Sequence, residues 1–168
     1  MSINAAWPLI WAARCSQIYH ARRCAFYDRM AKLSDFLSIV GASAALTAIG
    51  EYFPKWVGVC GSFLAVTASA LTLVVGASAM ARKHEDLKRR FGKLEAKALS
   101  TASPTAEQVA LWNAERVRIE TDEPPHYWAL NVLCEREAAR GRESFDPEKY
   151  RLPWFKEVTC NWFLWRNS

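Results

Sequence analysis

Charge is nearly missing from the middle of this chain. Of the 48 residues from Ser34 to Ala81, only Asp35, Glu51 and Lys55 are Asp, Glu, Lys or Arg. The sequence of 168 residues is 23% charged overall, so the ends are correspondingly charge-rich, and a mean hydropathy of −0.10 averages two unlike regions. Glycine and proline are scarce, at seven each, which excludes a collagenous or low-complexity chain. The five cysteines, Cys15, Cys24, Cys60, Cys134 and Cys160, form no CxxC pair and are odd in number, which is a poor disulfide framework and points to reduced thiols. No Gly-rich phosphate loop, GxSxG, HExxH or zinc-ligand spacing is present, so no cofactor and no metal are expected. Cys15, His20 and Cys24 come closest to a metal pattern. At 100° per residue they project about 140° and 180° apart on a helix, so they cannot chelate one ion from a single helix. No cleavable signal peptide is expected either, because Trp7, Trp11, Arg14, Arg22 and Arg23 occupy the N-terminal region.

What the middle does have is two apolar runs. Leu33–Phe53 is about 31 Å long as a helix and Trp56–Ala81 about 39 Å, lengths that suit a bilayer core. Between them Glu51-Tyr52-Phe53-Pro54-Lys55 reads as a tight antiparallel turn, with Tyr52, Phe53 and Trp56 as interfacial aromatics. Basic residues flank both runs: Arg14, Arg22, Arg23, Arg29 and Lys32 before, Arg82, Lys83, Lys88, Arg89, Arg90, Lys93 and Lys97 after. The positive-inside rule then places both termini in the cytoplasm of a multi-pass inner-membrane protein, with the lipid bilayer as partner. The basic pI of about 9.1 is assigned to these flanks, and direct nucleic-acid binding is not expected.

Small side chains recur at steps of three and four in both runs. Ser34, Ser38, Gly41 and Ala45 mark the first, and Gly58, Ser62, Ala65, Ser69, Thr72 and Gly76 the second. Such a stripe permits close helix packing, within a chain or a homo-oligomer. Lining of a narrow pore, with Asp35 at its mouth, is the other reading.

The flanks read as helices, so the fold class is all-α. Three regions are expected: an amphipathic N-terminal helix in residues 1–32, a transmembrane hairpin in 33–81, and a cytoplasmic helical region in 82–168. In the last, Ser103-Pro104 reads as an N-cap with proline at the first helical position, ahead of helices over about Thr105–Ile119 and Pro125–Arg140. Trp154, Trp162 and Trp165 form an apolar stripe in the tail, suited to an interface. The best catalytic candidate is the cluster Glu120, Asp122 and Glu123 with His126, yet acids at a helix boundary commonly serve as caps. His20 and His84 have no evident orienting partner in sequence. An enzyme is not expected.

The layout resembles the SLATT group, two-transmembrane bacterial proteins associated with SMODS nucleotidyltransferases and SLOG proteins. The resemblance rests on Tyr19-His20 through Arg22-Arg23, the five-residue turn, the basic exit Arg82-Lys83, and Glu120-Thr121-Asp122-Glu123-Pro124-Pro125. It implies an antiviral (abortive-infection) effector that oligomerises and breaches the inner membrane. The implied signalling partner is a nucleotide-second-messenger synthase or a reverse transcriptase. A membrane scaffold or subunit of a larger complex is the alternative.

Overall fold

The computed structural model describes residues 6–49, 54–140 and 145–165, and among these every regular element is helical. They are α1 (Trp7–Ile49), α2 (Lys55–Val75), α3 (Ala77–Leu99), α4 (Ala106–Glu120), α5 (Trp128–Ala139), a 3-10 turn (Glu148–Tyr150) and α6 (Trp154–Thr159). The chain divides into two compact units, one of residues 1–23 with 84–168, the other of residues 24–83.

The first unit is held by two apolar clusters. Ala6, Leu9, Ile10 and Ala13 share one face of α1, because residues three and four apart lie above one another on a helix. Leu87, Phe91, Leu94 and Ala98 do the same on α3, and Trp112 and Ile119 of α4 complete the cluster. Each fully buried Leu or Phe contributes about 1.5–3 kcal/mol of transfer free energy. The second cluster joins Tyr19 to Ala129, Leu130, Leu133 and Cys134 of α5, with Leu152 and Cys160 from the tail. Helix α4 begins at Thr105, whose hydroxyl accepts from the Gln108 N–H while the Gln108 side chain accepts from the Thr105 N–H. This reciprocal capping box displaces Ser103-Pro104 from the capping position read in sequence.

In the second unit, the later part of α1 packs antiparallel on α2. The buried Ser34 Oγ donates to the Ala68 carbonyl at 2.8 Å, and Ser38 Oγ lies 2.9 Å from Ser69 Oγ. At Gly41 the backbones close further, since a Cβ there would sit 2.4 Å from the Gly61 carbonyl oxygen. Gly76 takes φ 59°, a left-handed conformation that costs glycine little, and there α2 gives way to α3.

This geometry corrects the membrane expectation. Among the described residues no helix is long and apolar enough to cross a membrane. The run Trp56–Ala81 is not one helix, because Gly76 ends α2 at Val75. Nine of the 21 residues of α2 are Gly, Ala, Ser or Thr, which carry little apolar surface. Of the other run, Leu33–Phe53, residues 50–53 lie outside the described residues. The transmembrane hairpin and the multi-pass inner-membrane location with cytoplasmic termini are accordingly withdrawn.

Candidate functional site

Three histidines and one carboxylate converge inside the first unit. His20 lies on α1, His84 on α3, and Glu123 and His126 on the connector of residues 121–127 between α4 and α5. His20 and His84 are fully buried, and only 6% of the Glu123 side chain is exposed. His20 Nδ1 lies 2.9 Å from His84 Nδ1, and His20 Nε2 lies 3.0 Å from Glu123 Oε1. The other Glu123 oxygen accepts from His126 Nε2.

Local folding explains why these groups meet. His84 precedes Leu87 and Phe91 on the buried face of α3, so the packing that buries those apolar residues also buries the imidazole. His20 stacks on Phe91, with ring centroids 5.7 Å apart. Tyr19 fixes the connector from the neighbouring position: its hydroxyl accepts the Tyr127 N–H at 3.0 Å, and its ring stacks on His126 at 4.8 Å. Burial pushes the Tyr19 hydroxyl up to about 12, so it remains a neutral phenol.

Electrostatics settle the protons. Burial pushes the Glu123 carboxyl up, but hydrogen bonds from His126 and His20 outweigh it and hold the group at about 2. The hydrogen bond to Glu123 raises His126, against burial that lowers it. An ionised carboxylate only accepts, so His20 Nε2 carries a hydrogen and donates. One hydrogen then occupies the Nδ1–Nδ1 contact. With both rings neutral it belongs to His84, because His20 already carries its single hydrogen on Nε2.

The acidic cluster read in sequence is thereby divided. Asp122 pairs with Arg90 at 2.6 Å, Glu120 with Arg116 at 3.4 Å, and Glu123 alone enters the buried node. His20 and His84, without evident partners in sequence, orient each other although they are 64 positions apart. The signal that could have found them is the heptad-like face of α3, which places position 84 in register with the buried positions 87, 91, 94 and 98. Among the described residues no group of His, Cys, Asp and Glu has the geometry to hold a metal ion.

The small-residue positions lie elsewhere. Ser34, Ser38 and Gly41 meet Ala65, Ala68, Ser69 and Gly61 within the second unit. Gly58 is buried, whereas Asp35 and Ser62 are exposed, and Gly76 forms the α2–α3 break. The side chains of Ala45 and Thr72 lie outside the described residues, as do Tyr52 and Phe53 altogether. Trp56, Trp154 and Trp162 are exposed, while Trp165 is half-buried with its Nε1–H donating to Thr159 Oγ1 at 3.1 Å. Comparison of the chain with family models, curated proteins and solved structures finds no match.

Proposed function

We propose that this chain is a non-catalytic helical subunit that self-associates through its second unit. The observation that carries the reading is the apolar surface left uncovered there. Phe36, Ile39, Val59, Phe63 and Val66 are each between 61% and 73% exposed, and Leu33, Leu46, Trp56 and Val74 are exposed with them. At roughly 100 Å² for each of these nine side chains the patch reaches about 900 Å², above the few hundred Å² usual for a monomer and near one partner's share of a standard interface. These residues lie on both helices and carry no charge that a charged partner could answer. A second copy of the same surface is the occupant that matches them.

The node supports the non-catalytic part of the reading. His20, His84 and Glu123 are sealed from substrate, and Glu120 and Asp122 are engaged in ion pairs. The SLATT resemblance adds the expectation of assembly. In a bacterial conflict system, the trigger for assembly would come from a nucleotide-second-messenger synthase or a reverse transcriptase. Sedimentation velocity of the full chain tests the proposal. Wild type is expected to form concentration-dependent oligomers, and Phe63→Glu with Ile39→Glu is expected to shift the distribution towards monomer. A wild-type chain that stays monomeric across the micromolar range overturns it.

A further inference from the structure

The first unit carries an apolar surface of its own, at the tail. Helix α6 puts Trp154, Phe155 and Val158 on one face, since positions three and four apart align on a helix, and Trp162, Phe163 and Leu164 follow it. Trp154 and Val158 are 77% and 70% exposed, and the last three 58–59%. Ring contacts make the surface continuous. Trp154 meets Phe155 with centroids 6.4 Å apart, Phe155 meets Trp165 at 5.6 Å, and Trp165 meets Phe163 at 5.8 Å.

The tail is held from beneath. Leu152 and Cys160 are buried in the second apolar cluster, and Glu157 pairs with Arg136 of α5 at 2.7 Å. Arg23 of α1 donates to the Asn161 carbonyl at 2.8 Å. The Lys156 ammonium lies 5.5 Å from the Trp128 ring and 5.7 Å from that of Trp165. Side chains fixed in this way have little freedom left to lose on binding.

We propose that this aromatic tail is a further self-association surface, on which a second copy of the chain docks by its own tail. Area is the first argument. Aromatic side chains offer about 150–250 Å² each, so the exposed parts of the six residues come to roughly 700 Å². That exceeds the largest patch of a typical monomer, about 300–600 Å², and approaches the roughly 800 Å² that each partner gives to a standard interface.

Charge then selects the occupant. The adjoining stretch of residues 146–151 exposes Asp146, Glu148, Lys149 and Arg151, two of each sign, so it favours neither an acidic nor a basic partner. A two-fold pair answers such a rim, because acids of each copy meet bases of the other reciprocally. Shape agrees. A surface hollow of about 630 Å³ is lined by Glu148, Arg151, Leu152, Pro153 and Trp154, and in the two-fold pair Trp154 of each copy enters the hollow of the other. The surface does not depend on the apolar patch of the second unit. With both in use one copy pairs with two others, and assembly continues past the dimer.

Sedimentation velocity of the full chain carrying Phe63→Glu and Ile39→Glu isolates the tail. That chain is expected to form a concentration-dependent dimer, and adding Trp154→Ser with Val158→Ser is expected to weaken the dimer by about 30-fold or more. The first two substitutions test the second unit and the last two test the tail, so either surface can fail alone. A Phe63→Glu, Ile39→Glu chain that stays monomeric across the micromolar range overturns the proposal, and binding of that monomer to phosphatidylcholine vesicles assigns the face to a lipid surface instead. A dimer that persists after the tail substitutions overturns it as well. Should the variant background not fold, fluorine NMR of fluorotryptophan-labelled wild type decides. Trp154 and Trp162 resonances that move with protein concentration support the tail interface, and resonances that stay fixed overturn it.

Discussion

Gly41→Ala adds one methyl group where two helix backbones touch, and its cost can be worked from the geometry. The new Cβ would lie 2.4 Å from the Gly61 carbonyl oxygen and 2.9 Å from both the Ala65 Cβ and its backbone nitrogen. Ordinary contact needs about 3.4 Å or more, so α1 and α2 must part by close to 1 Å at that level. Two of the three obstructing atoms are backbone and cannot rotate away. Overpacking of this kind costs about 1–3 kcal/mol. Parting the helices also stretches the Ser34–Ala68 and Ser38–Ser69 hydrogen bonds, each contributing about 0.5–1.5 kcal/mol. Against this, alanine gains about 0.5–1 kcal/mol over glycine within a helix. The net expectation is a loss of about 2 kcal/mol, confined to the second unit. Gly92→Ala is the matched control on α3, because its Cβ would meet only the flexible end of Gln17 at 3.1 Å, and it should gain up to about 1 kcal/mol. Urea unfolding followed by circular dichroism, with local hydrogen exchange over residues 34–41, separates the two. A Gly41→Ala chain as stable as wild type would refute the close approach.

Other outcomes follow from the first unit and from the α2–α3 break. Glu123 lies well below its ordinary value, so its contribution is present above about pH 4.5 and fades as pH falls towards about 2; Glu123→Gln should remove up to about 3 kcal/mol at pH 7 and flatten that acid limb in denaturation curves. His126 is raised, so its contribution is full below about pH 6.5 and is lost as pH rises through the elevated value; its NMR titration should move back towards 6.5 in the same variant. Thr105→Ala removes the acceptor half of the capping box and should cost about 1 kcal/mol in thermal unfolding, with Thr105→Ser restoring most of it. Gly76→Ala has open space around its Cβ but a left-handed backbone, so it should cost about 1–2 kcal/mol through strain alone.

The helices were legible because their signals are local. Helical periodicity and a Pro-Pro boundary place the α4 and α5 regions to within a few residues of the observed Ala106–Glu120 and Trp128–Ala139. The cap of α4 was misassigned by two positions: Ser103-Pro104 satisfies a local preference, but Thr105 with Gln108 satisfies two orphan N–H groups at once. The buried node was not legible, since His20 and Glu123 are 103 positions apart and nothing near either one names the other. The apolar middle misled for a different reason. A hydropathy run counts residues without knowing that Gly76 will turn the chain.

The first unit draws on both sides of the second in sequence: it joins residues 1–23 to residues 84–168. Arg23 and the Asn161 carbonyl it meets are 138 positions apart. During synthesis, therefore, the start of α1 emerges with its tyrosine, histidine and arginine all lacking their eventual contacts. The second unit, residues 24–83, is contiguous and can close as soon as it is made. The first must wait until the chain has been extended past position 160, which makes it the slow, long-range step of folding. Through that interval the nascent face of α1 bearing Leu9, Ile10, Tyr19 and Arg23 is the surface a chaperone would meet.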